Sequence, residues 1–68
     1  MNSPWVDGKA IPGITFAYNS MVQIASGEHA GETGWLVAVQ PGPDPIYTVE
    51  LTSGGDVDVP QSALQAPA

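Results

Sequence analysis

Glu28, His29 and Glu32 stand within five residues of one another, with Ser26 and Thr33 on either side. Imidazole and carboxylate groups bind divalent ions, so a metal is the first chemistry to test here. A tight site needs further convergent ligands, and the neighbouring sequence offers none, so no metal is expected. His29 as a general base would need a nucleophile beside it and an acid to orient it. Ser26 or Thr33 would have to be that nucleophile, and no acid sits where it would orient the pair. The expectation is no catalytic residue, no cofactor and no enzymatic activity. Asp56 and Asp58 alternate with Val57 and Val59 and point the same way from one strand. Calcium would demand more oxygen ligands than these two supply. Charges so placed more simply guard a sheet edge against pairing with another chain.

Trp35 offers chemistry of a different kind. An exposed tryptophan is a common anchor at protein interfaces. The competing expectation is a half-buried indole at one end of the fold or under the N-terminal segment. If Trp35 is exposed, Glu28, His29 and Glu32 form an acidic lip beside it that would receive Lys or Arg from a protein partner. Trp5 either extends that surface to another chain or docks on its own domain.

Composition narrows the partner. The 68 residues hold seven acids, one lysine (Lys9), no arginine and a formal net charge of −6. Nucleic-acid affinity comes mainly from basic side chains displacing counterions from phosphates, which one lysine cannot do. Anionic membrane surfaces are disfavoured for the same reason, whereas a basic protein would be attracted. Apolar runs fall far short of the ~20 residues that cross a bilayer as a helix. Met1 to Asp7 has neither the basic nor the apolar region of a secretory signal, so the cytoplasm is the expected location. Cysteine is absent, so disulfides cannot reinforce so small a domain.

The elements that must position these residues are short strands. Residues 1–20 hold prolines, glycines and scattered polar groups and read as a loosely held arm, with a possible short strand at 14–18. Val22 and Ile24 alternate with Gln23, giving a strand over 21–25. A loop with glycines at 27 and 31 follows, and Gly34 opens a second strand to Gln40. Strict alternation there puts Leu36 and Ala38 on one face and Trp35, Val37 and Val39 on the other. Pro41 to Pro45 is a stiff connector. Tyr47, Val49 and Leu51 alternate with Thr48 and Glu50, and Gly54-Gly55 turns that strand into the next, 56–59. One helical turn from Pro60, a strand at Leu64-Gln65 and a tail over 66–68 complete the chain. Short strands that each bury one face are most simply satisfied by an all-β barrel.

The segment Met21 to Gln40, with Gly27, Gly31, Gly34, Leu36 and Val39, resembles a KOW motif, the opening hairpin of a small SH3-like β-barrel. The order strand, loop, strand, hairpin, helical turn, strand extends the likeness to about Gln65. The resemblance implies an SH3-like barrel over 21–65 with four to five antiparallel strands. Family members in ribosomal proteins and transcription elongation factors contact RNA or a partner protein. Their loops look basic, whereas this loop carries Glu28, His29 and Glu32, with Trp35 in a slot often held by lysine. The expected role is therefore a non-catalytic protein-interaction module or accessory subunit. The alternative is a KOW-type nucleic-acid-associated protein of transcription or translation.

Overall fold

Five antiparallel strands form one sheet in the computed structural model, which describes residues 4–67. The strands are β1 (Met21–Ile24), β2 (Thr33–Gln40), β3 (Ile46–Leu51), β4 (Asp56–Pro60) and β5 (Leu64–Gln65). Their spatial order is β4-β3-β2-β1-β5, with a 3-10 turn (Gln61–Ala63) before β5. That three-residue turn carries the chain from one edge of the sheet to the other. A connection so short forces the two edges together, so the sheet curls into a small barrel left open along a seam. Met1 to Ser3 of the arm and Ala68 of the tail lie outside the described residues.

Alternation builds the core. Val22 and Ile24 from β1, Leu36 from β2, Tyr47, Val49 and Leu51 from β3, and Val59 from β4 are all buried. Ala63 and Leu64 close one side. At Gly34 the packing leaves no room for a side chain. A Cβ there would fall 2.6 Å from Val49 Cγ1 and closer still to the Glu50 carbonyl oxygen. Glycine at 34 is thus a close-approach residue, while Gly27 and Gly31 turn the β1–β2 loop with φ of 89° and 93°.

Strict alternation fails in β2. Gln40 pairs with Ile46, Val39 with Tyr47 and Ala38 with Thr48, but Leu36 pairs with Val49, leaving Val37 as an extra residue. This bulge reverses the parity of the strand. Ala38 is exposed and Val39 packs on the core, the opposite of the faces expected for them.

The arm is also corrected. No strand forms at 14–18, because Asn19 turns the chain with φ 63°. Ile14 N–H closes a turn on the Ile11 carbonyl at 3.1 Å, and the next two backbone N–H groups go to side chains instead of a ladder. Thr15 N–H donates to Gln61 Oε1 at 2.9 Å and Phe16 N–H to Tyr47 Oη at 3.3 Å. Far from being loosely held, the arm delivers Trp5 into the core, 4% exposed. Its indole Nε1–H donates to the Phe16 carbonyl at 2.8 Å. The ring meets Tyr18 edge-on at 5.4 Å and Tyr47 at 6.1 Å between centroids.

Candidate functional site

The expected surface of Trp35, Glu28, His29, Glu32 and Trp5 is divided among three places. Trp5 is a core residue and leaves the candidate surface altogether. Burial of its ring and capture of its N–H by Phe16 follow from the arm's turns, which fold Pro4 to Lys9 back on itself through hydrogen bonds of 3.0 Å.

Glu28 and His29 line a cleft of about 340 Å³ at the open seam, facing Asp58, Val59 and Pro60 of β4 across an apolar floor of Ile24 and Ala63. His29 Nδ1 lies 2.7 Å from Glu32 Oε2, and Ser53 Oγ donates to Glu32 Oε1 at 2.9 Å. Glu32 therefore ties its own loop to the β3–β4 turn. The hydrogen bond from His29, then that from Ser53, holds its carboxyl below the ordinary value of 4.5. Among the described residues no three His, Cys, Asp or Glu side chains are grouped to hold a metal ion. A catalytic base would need a free nucleophile in reach, and the partner His29 has taken is a carboxylate on its own loop.

Trp35 lies elsewhere. β2 is the central strand, and Trp35 stands on its outer face, 39% exposed. Its register partners are Met21 on β1 and Glu50 on β3, and Glu50 in turn pairs with Asp56 on β4. Met21, Trp35, Glu50 and Asp56 thus make one row across four strands, at the ~4.8 Å strand spacing of a sheet. The bulge at Val37 creates this row. Continuing the Gln40–Ile46 register without it would set Trp35 opposite Leu51, a core residue. Glu50 and Asp56 are both exposed, and neither side chain has a hydrogen-bond or ion-pair partner among the described residues. Two residues along β4, Asp58 Oδ1 accepts a hydrogen bond from Thr48 Oγ1 at 2.9 Å.

Glu50 and Asp56 are the residues that sequence reasoning left out of the site. A register would have found them, but it requires the bulge, which an apolar run such as Trp35 to Val39 conceals. The arrangement can pack a flat or apolar group on the indole and attract a cation beside it. It holds no nucleophile and no acid–base pair in contact with Trp35.

No family model, curated protein or solved structure matches this chain. No helix among the described residues is long and apolar enough to cross a membrane.

Proposed function

We propose that this chain is a non-catalytic protein-interaction module or accessory subunit, an SH3-like barrel of the cytoplasm that binds a basic protein partner through the outer sheet face around Trp35. The observation that carries the reading is Trp35 itself. It is one of the two largest side chains in the protein, it sits on the central strand, and it remains exposed while the other, Trp5, is buried. The strand order, the 3-10 turn before β5 and the glycine-turned β1–β2 loop support the SH3-like and KOW-like part of the reading. A net charge of −6 supports a basic partner over RNA.

Affinity capture tests it. The immobilised chain and its Trp35→Ala variant are exposed in parallel to an extract of the source cells, with and without ribonuclease. A protein retained by the wild type, resistant to ribonuclease and lost from the variant supports the reading. Equal retention by both chains removes Trp35 from the interface. Retention of RNA with salt-sensitive affinity replaces the reading with the nucleic-acid-associated alternative.

A further inference from the structure

We infer that the Trp35 row is an arginine-recognition surface, with the partner's guanidinium stacked on the indole of Trp35 and paired with the carboxylate of Glu50. This deepens the interaction reading above and rests on it. Glu50 and Asp56 are set directly opposite each other across β3 and β4. Like charges in that relation disfavour the sheet, and among the described residues no hydrogen bond or ion pair offsets them. The protein has no arginine, and its single lysine, Lys9, belongs to the N-terminal arm. The one contact between a basic and an acidic side chain among the described residues, His29 with Glu32, is on the β1–β2 loop. A cation delivered from outside would relieve this unfavourable pair, so charge complementarity names the occupant as a cationic side chain of another protein. A second copy of this chain brings no arginine and another net charge of −6, so charge repulsion disfavours self-association through this face.

Trp35 selects which cation. Indole gives the strongest cation–π face among side chains. A guanidinium is planar, weakly hydrated and forked, so it can lie on a ring while donating two hydrogen bonds to one carboxylate. The ammonium of lysine is a hydrated point that cannot do both. Glu50 is one strand away from Trp35, within reach of a stacked guanidinium, and Asp56 one strand further adds attraction from the same side. Met21 flanks Trp35 on the other side and offers its thioether chain to the aliphatic stem of the arginine.

The two indole N–H signals in an NMR spectrum of the intact chain make the test direct, since Trp5 and Trp35 report separately. The probe is a capped peptide, Gly-Arg-Gly-Arg-Gly, with lysine and citrulline versions. Titration should shift the Trp35 indole and the Glu50 and Asp56 amides while the Trp5 indole stays in place. Lysine in place of arginine should weaken binding about two- to fivefold, the scale of one exposed cation–π contact, and citrulline should abolish it. Glu50→Gln should weaken arginine binding by a similar factor and raise the thermal midpoint of the free protein, because one of the two opposed charges is gone. An unmoved Trp35 indole, equal binding of the citrulline peptide or unchanged affinity in Glu50→Gln overturns the inference. If those results occur while Trp35→Ala still loses its captured protein, the arginine assignment falls and the interaction reading stands. If the captured protein is indifferent to Trp35, the interaction reading itself falls.

Discussion

Trp5 and Trp35 are the same side chain put to opposite uses. Trp5 is 4% exposed, its N–H is bonded to Phe16, and its ring is held by Tyr18 and Tyr47. Trp35 is 39% exposed, with neighbours on one row of a sheet face. A domain this small has few large apolar groups to spend on its core. Five strands alone leave an end of the barrel open, and the arm with Trp5, Ile11, Ile14 and Phe16 supplies what they lack. Trp35 sits where the strands are already complete, on the outer face of the central strand, which is the face the proposed partner would use.

Trp5→Ala removes a buried ring, the aromatic contacts to two tyrosines and the bond that fixes Phe16. Large aromatic truncations in a core cost about 3–5 kcal/mol, as much as the core of a domain below about 70–80 residues usually supplies. Urea denaturation should find Trp5→Ala largely unfolded, with near-ultraviolet circular dichroism lost. A folded variant with an unchanged midpoint would show that the arm is an ornament on a self-sufficient barrel, and the contrast between the two tryptophans would collapse.

Tyr47→Phe comes next and asks how the arm is fastened. Tyr47 is fully buried, and its hydroxyl donates to Gln61 Oε1 and accepts from the Phe16 N–H. Gln61 also donates through Nε2 to the Gly13 carbonyl at 3.2 Å, and its backbone N–H donates to the Pro45 carbonyl at 2.7 Å. Phenylalanine keeps the ring and deletes the hydroxyl, leaving the Phe16 N–H without its acceptor. A cost of about 1–3 kcal/mol is expected for such an unmade bond. Amide exchange should accelerate at Thr15 and Phe16 more than in β3. Uniform acceleration across the sheet would mean that the arm and barrel open as one unit.

Much of the barrel was legible in the chain, and the failures share a cause. β3 could be read to its ends because Tyr47, Val49 and Leu51 alternate cleanly with polar residues and Gly54-Gly55 marks the turn. The 3-10 turn and β5 followed from Pro60 and the apolar Leu64. In β2 the run Trp35 to Val39 is apolar on both faces, so periodicity carries no information about parity, and the bulge at Val37 was invisible. The site inherited that gap. Proximity along the chain favoured Glu28, His29 and Glu32 as neighbours of Trp35, whereas the bulged register brings Glu50 beside it. Trp5 was illegible for another reason: a segment held by turns and side-chain hydrogen bonds has no period to read. Its aromatic density, with Phe16 and Tyr18 close behind, was the available signal.

A smaller effect separates the seam from the Trp35 face. Glu32 has a lowered pKa in the fold, so its bonds to His29 and Ser53 contribute stability that is complete above 4.5. That contribution disappears as pH falls through the folded-state value, which lies below 4.5. Glu32→Gln should therefore melt below the wild type at neutral pH, and the gap should close on acidification into that lower range. A gap that persists at the acid end would show that the variant has lost packing, not charge.

Trp35→Ala should have the least effect on the free protein. Its removal takes nothing from the buried core or the ladder bonds of β2, and forfeits strand preference and packing along its row of the outer face. Such changes on an exposed strand face span about 1 kcal/mol at most. The urea midpoint should therefore move little, and the Trp5 indole signal should keep its wild-type position. A loss comparable to that of Trp5→Ala would show that the indole at 35 is a structural cover for the sheet, and the face would then have no surplus aromatic to offer a partner. A near-silent substitution, joined to loss of the captured protein, would separate stability from binding. The two tryptophans would then differ by location alone, one on the side of the sheet that folding fills and the other on the side it leaves open.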